Sequence, residues 1–238
     1  MRRVGAFPNA MDSAAIELRP EFWQQGMQPQ MLTEREYEIV ATLIKVPLLA
    51  TCQAERTWFP QTVSGATNCR RTLSGLVARG LIHRFETIAH PELPLTEPVW
   101  TWRPGQPDPP AGSIAYRLGV RWTEPLQPTV IYVATRRAAK LYGGVGGRLR
   151  SCVQVTHDIH VATVYLKFLQ EQPWKASAWV SESAISSQFH NEKLPDAAIK
   201  GPDGELALAI EFGGSYPKPR VEKLHRSFSA RNLPYELW

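Results

Sequence analysis

Four residues, Gly201-Pro202-Asp203-Gly204, leave the chain around them few choices. They separate two apolar runs, 194–200 and 205–212. Proline presets the backbone of the turn, aspartate bonds its own backbone, and glycine accepts left-handed conformations, so the chain reverses here. Apolar runs of that length on either side read as two neighbouring strands. Asp196 stands early in the first and Glu211 at the end of the second. Two carboxylates on adjacent strands are what a metal-dependent nuclease uses to hold Mg or Mn against a phosphate, with a lysine near the attacking water. Two residues past Glu211 stands Gly213, which offers no side chain. A turn-capping aspartate and a solvated strand-end glutamate would produce the same spacing.

The elements around this hairpin describe a small α/β domain with a mixed sheet. A helix runs from His157 to about Gln170, 176–182 reads as a strand, 219–231 as a basic helix, and 235–238 as a closing strand. On the basic helix Lys223 and Arg226 are three apart and share a face. Lys218 or Lys223 is the candidate to replace the lysine missing at Gly213. His157 and His160 are also three apart, but no cysteine lies near them to complete a zinc set. No serine has the context of a nucleophile elbow.

Upstream, three short helices precede a strand. Thr33 can cap the first, with Glu36 three residues on and Leu32 as a staple; Tyr37, Val40, Ala41 and Ile44 are its expected buried stripe. A second helix is expected near 49–57. Ser64 is the expected cap of a third, with Ala66, Cys69, Leu73, Leu76 and Val77 on the apolar face and Gly80 at its end. The strand at 81–85 follows. The stretch 91–128 is rich in proline, tryptophan and glycine; 99–102 and 114–118 alternate like interrupted strands of a long wing. A strand at 129–134 and a helix at 135–142 follow. GGVGG at 143–147 lacks the Lys-Ser or Lys-Thr of a phosphate loop and reads as a hinge.

This order is that of a winged helix-turn-helix. Thr67, Asn68, Arg70, Arg71 and Ser74 lie away from the apolar stripe of the third helix and suit the major groove of duplex DNA. Arg79, Arg84 and Arg103 are expected to add backbone contacts from the helix end and the wing. A three-helix protein-interaction module with a solvated polar face has the same pattern. Charge favours DNA. The chain carries 27 basic and 22 acidic residues, and residues 33–150 hold fifteen of the basic against nine of the acidic. Residues 151–238 hold nine against ten, so the excess is confined to the first half.

Apolar residues make up 43% of the 238, enough for a sizeable core, and no run is long enough to cross a membrane. The opening arginines lack the apolar stretch of a secretory signal behind them. Three cysteines without CxxC pairing read as reduced thiols in a cytoplasmic protein.

From Leu32 onward the chain resembles the replication-relaxation family, whose members join a winged helix to a PD-(D/E)xK nuclease-like domain. The resemblance lies in the helix 67–79 with Gly80-Leu81-Ile82, in Val130-Ile131-Tyr132-Val133-Ala134-Thr135, and in the helix opened by His157 with His160. It continues in Leu194-Pro195-Asp196-Ala197, Ala209-Ile210-Glu211-Phe212 and the Lys223-Leu224 pair. Leu194 replaces the arginine of the family's Arg-Pro-Asp-Ala, and Gly213 replaces the lysine of active nucleases. Residues 1–31, with little periodicity, read as an N-terminal arm and 143–150 as a Gly-rich hinge; the resemblance implies a winged-helix domain (32–142) and a restriction-endonuclease-like domain (151–238), degenerate as a nuclease. It also implies duplex DNA as partner, a role in plasmid replication or its control, and contacts with replication or mobilisation proteins. A homodimer on two half-sites is the expected assembly. No cofactor is expected; the alternative is a Mg- or Mn-dependent DNA endonuclease with Asp196 and Glu211 as ligands and Lys223 beside them.

Overall fold

The computed structural model describes residues 32–144, 154–189 and 193–238. The expected N-terminal arm, and the hinge apart from Gly143 and Gly144, lie outside the described residues. The described chain opens with α1 (Glu34–Lys45), β1 (Leu49–Ala50), α2 (Thr51–Trp58) and α3 (Val63–Ala78). Thr33 caps α1: its hydroxyl accepts from the Glu36 N–H, and the Glu36 carboxylate accepts from the Thr33 N–H at 2.9 Å. Such a cap contributes ~1 kcal/mol. The buried stripe is Ile39, Val40, Thr42 and Leu43, so the helix is rotated from the expected face. Tyr37 stays at the surface, edge-on to Tyr142 at 5.6 Å.

α3 starts two residues earlier than Ser64 capping requires. Its cap is Thr62, whose hydroxyl accepts from the Gly65 N–H at 3.1 Å. A Cβ at Gly65 would lie 1.9 Å from the Pro60 carbonyl oxygen, so the close turn from α2 into α3 needs glycine. Cys69, Leu73 and Leu76 are buried beneath the helix, as its apolar face predicts. Gly80, at φ 67, ends it.

β2 (Ile82–Ala89) and β4 (Gln127–Ala134) pair antiparallel along their length, and β1 pairs with the other edge of β4. Between β2 and β4 the chain leaves this three-stranded sheet. β3 (Trp100–Trp102) pairs with β8 (Tyr235–Leu237) in a second sheet, and α4 (Ala111–Val120) packs on α9 (Lys218–Ser229). The expected long wing is therefore corrected: 99–102 belongs to the other sheet, and 114–118 is helical. The reason is spacing. Ala111, Ile114 and Leu118 recur at three and four residues and bury one helical face, although the short run also alternates.

After β4 come α5 (Arg136–Tyr142), capped by Thr135, then α6 (Val155–Glu171), α7 (Pro173–Ala178) and β5 (Trp179–Ser181). Pro173 in the first turn starts α7, which shortens the strand expected at 176–182. α8 (Glu182–Ile185), β6 (Ala197–Lys200) and β7 (Leu206–Glu211) follow. β6 and β7 form the antiparallel hairpin that the 201–204 turn requires, with the Gly201 N–H donating to Glu205 O at 2.8 Å. β8 runs parallel to β7, so the sheet, in order β3-β8-β7-β6-β5, is mixed.

Side chains alternate across this sheet. Ala197, Ile199 and Ile210 pack with Val164 and Phe168 of α6; Ala198 and Ala209 pack with Ile114, Leu118, Leu224 and Phe228 of α4 and α9. The first of these clusters continues into Leu43 of α1 and Leu73 of α3, so both sheets share a core within one compact unit from Leu32 onward. Buried Gln53 reinforces the junction: its amide donates to Ile159 O at 2.8 Å and to the Thr163 hydroxyl at 3.0 Å.

Candidate functional site

Two polar regions stand out. The first is the outer face of α3. Thr67, Asn68, Arg70, Arg71 and Ser74 are all exposed, one turn apart or adjacent, while the opposite face is buried. Arg71 donates to Asn68 Oδ1 at 2.8 Å, and Arg70 meets no acceptor among the described residues. The other three arginines named from sequence have different surroundings. Arg79 is half-buried and ion-paired with Glu36, which ties α3 to α1. Arg84 is exposed on β2 and pairs with Glu86 at 2.7 Å. Arg103 is exposed, but it follows β3 and so belongs to the second sheet rather than to the β2–β4 hairpin.

The second region lies at the ends of β6 and β7. The β hairpin brings Asp196 and Glu211 together, as the turn between them predicts. Asp196 Oδ2 accepts from the Phe212 N–H at 2.8 Å and lies 3.0 Å from His157 Nε2. Asp158 meets the other nitrogen of that ring at 3.4 Å. Burial opposes the charge on His157, yet hydrogen bonds to Asp158 and Asp196 outweigh it and push its pKa up to about 10. His157 is therefore an imidazolium held against a carboxylate.

Glu211 is fully buried. Its Oε1 accepts from the Tyr216 hydroxyl at 2.7 Å, and Lys193 Nζ lies 2.7 Å from Oε1 and 2.9 Å from Oε2. Arg220 extends the chain by donating to the Tyr216 oxygen at 3.3 Å. Burial, with Asp196 nearby, pushes Glu211 up to about 7, against the pull of Lys193 and Tyr216. Each carboxylate has thus acquired a cation of its own.

The lysine that meets Glu211 is Lys193, not a residue downstream. Lys218 is exposed beside Glu222, 3.7 Å away, and Lys223 is exposed on α9, whose buried face is Val221, Leu224, His225 and Phe228. Gly213 has a packing reason to lack a side chain. A Cβ there would stand 2.8 and 2.9 Å from the Leu118 methyls and 3.1 Å from Leu237 Cδ1, inside the second core cluster. The sequence signal for Lys193 was its position three residues before Asp196, at the mouth of the same strand.

Fit to a divalent ion is poor in this arrangement. Both Glu211 oxygens and Asp196 Oδ2 already have protein donors, and among the described residues no group of three His, Cys, Asp or Glu is arranged for a metal. His160 is occupied too. Its Nδ1 lies 2.6 Å from Thr156 O, its Nε2 accepts from the Leu93 N–H at 2.9 Å, and its ring stacks on Phe212 at 4.6 Å. Burial lowers its pKa to about 4, which keeps it neutral. Comparison with protein-family models, with curated proteins and with solved structures returned no match.

Proposed function

We propose that the protein binds duplex DNA, with α3 as the helix that enters the major groove and the domain around Asp196 and Glu211 as a nuclease-like scaffold. The observation that carries this is the outer face of α3, where Thr67, Asn68, Arg70, Arg71 and Ser74 stand exposed together. Arginine and asparagine match base edges in the major groove, and short hydroxyls match phosphate oxygens. Further support comes from the element order, in which a short strand between α1 and α2 joins the β2–β4 pair in a sheet ordered β1-β4-β2, as in a winged helix. Arg84, exposed on β2 and paired with Glu86, is the candidate for an added phosphate contact. A role in plasmid replication or its control and contacts with replication proteins follow from the resemblance to the replication-relaxation family, and homodimeric assembly from the match of two-fold symmetry to two DNA half-sites.

Fluorescence anisotropy with a labelled duplex tests this proposal. Arg70→Ala/Arg71→Ala should weaken binding roughly tenfold or more, and should reduce the slope of log affinity against log salt by up to ~2. Unchanged affinity in the double variant sinks the assignment of α3.

The nuclease alternative has one observation in its favour: Asp196, Glu211 and a lysine do meet. That lysine already neutralises Glu211, so the DNA-binding reading is preferred. Cleavage of supercoiled DNA in Mg or Mn, abolished by both Asp196→Ala and Glu211→Ala, would reverse that preference.

A further inference from the structure

The strands that edge the two sheets are unequal among the described residues. β1, β3 and β5 are two or three residues long, whereas β2 has eight. Its ladder with β4 runs one to one from Ile82↔Ala134 to Ala89↔Gln127, without a bulge. On its other side, residues 82–89 have no backbone hydrogen bond among the described residues. Folds blunt a free edge by shortening the strand, bending it with a bulge, or placing proline, lysine or other charges on it. β2 is long and straight in register, and it holds no proline or lysine.

Its two charges, the remaining device, are of opposite sign and stand in a self-complementary order. Ile82 is buried in the cluster that holds Leu73 and Leu76 of α3; Arg84, Glu86 and Ile88 share its face and are exposed. Phe85 is exposed on the opposite face, and Ile88 is 61% exposed. When identical strands pair antiparallel about a two-fold axis through the sheet, residues directly opposite share a face, and the residue on the axis fixes the register. Centred on Phe85, the register sets Arg84 against the partner's Glu86, Ile82 against the partner's Ile88, and Phe85 against its own mate. Moving the axis to Arg84 or Glu86 instead brings two like charges face to face, which is destabilising. Within one chain Arg84 already holds Glu86 at 2.7 Å, so the pairing closes a ring of four charges of alternating sign.

We propose that β2 is the contact between two copies of this chain, paired antiparallel about Phe85 so that the three strands of each copy form one continuous sheet. Because the two-fold axis passes through the sheet from face to face, both copies carry α3 on the same side, as two DNA half-sites require. The inference rests on the homodimeric reading above and gives it a surface.

Sedimentation velocity on the full chain, without DNA, tests this. The parent should be a dimer with a dissociation constant of ~10 µM or tighter. Arg84→Glu puts glutamates at both charged positions and Glu86→Arg puts arginines there, so each variant alone should associate at least ~10-fold more weakly. Both side chains are exposed, so neither substitution disturbs the core. Mixed in equal amounts, the two variants should recover a dimer of parent affinity, because every cross-strand pair is again of opposite sign. A parent that is monomeric at ~100 µM, a dimer that either variant leaves intact, a mixture that stays monomeric, or growth beyond two copies overturns the proposal. A monomeric parent would leave the assignment of α3 standing, and unchanged DNA affinity in Arg70→Ala/Arg71→Ala would leave the β2 contact standing.

Discussion

The outer face of α3 and the cluster at the ends of β6 and β7 are both rich in charge, yet they treat it in opposite ways. On α3 the arginines stand in water, and Arg70 has no protein acceptor among the described residues. In the cluster, Lys193 neutralises Glu211 and His157 neutralises Asp196, with Tyr216 and the Phe212 N–H filling further acceptor sites. Solvated charges cost the fold little and remain available to a polyanion. Buried charges are tolerated only when paired, and once paired they have little left to offer a ligand. The presence of acidic and basic residues in a cleft is thus weaker evidence of chemistry than the partners they already have.

The largest expected effect comes from breaking the buried pair. Lys193→Met leaves Glu211 with Tyr216 alone and should destabilise the protein by ~3–5 kcal/mol in chemical denaturation at about pH 9, where Glu211 no longer sheds its charge by taking up a proton. A loss under about 1 kcal/mol would mean that Lys193 does not neutralise Glu211. On the other side of the comparison, Gly65→Ala drives a methyl into the Pro60 carbonyl, 1.9 Å away, and should cost about 3 kcal/mol and lower DNA affinity by displacing α3. By contrast Ser74→Ala, on the solvated face, should stay within ~0.5 kcal/mol of the parent.

Titration sharpens the contrast further. Glu211 has a folded pKa of about 7 against an ordinary 4.5, so the folded chain keeps a proton that the unfolded chain loses in between. Its contribution is therefore present below the ordinary value and disappears as pH rises towards 7. His157, raised from 6.5 to about 10, contributes fully below 6.5 and loses that contribution as pH rises towards 10. Melting temperature measured across pH should fall through both windows. Glu211→Gln should flatten the lower one and His157→Gln the upper one, whereas Arg70→Ala should alter neither. The smallest expected effect is that of divalent ions: ~10 mM Mg or Mn should leave the parent melting point within about 1 °C, since a ligand that does not bind the folded state cannot stabilise it. A clear, saturable rise would show that the protein's own cations yield to a metal.

Much of the framework was legible from local pattern. The Thr33–Glu36 cap, the apolar stripe of α3, the β6–β7 hairpin and the neighbourhood of Asp196 and Glu211 depend on contacts between residues a few positions apart or on turn chemistry. Backbone geometry dictates these wherever the segment is placed. The rest depended on partners far along the chain. The run 114–118 fits a strand's alternation as well as a helix's spacing, and the burial of Ile114 and Leu118 against α9 decides for helix. Likewise, no spacing rule says that the strand at 100–102 will pair with the strand at 235–237. Trp179 and Trp174 look alike in sequence, but one is buried at 4% and the other exposed at 63%. The question raised by Gly213 has the same character. Sequence alone determined that no side chain stands there; only packing against Leu118 and Leu237 explains why none can. Only the tertiary structure brings Lys193 to Glu211 from the other side of the hairpin, because which charges meet is decided by how the strands and helices pack around them.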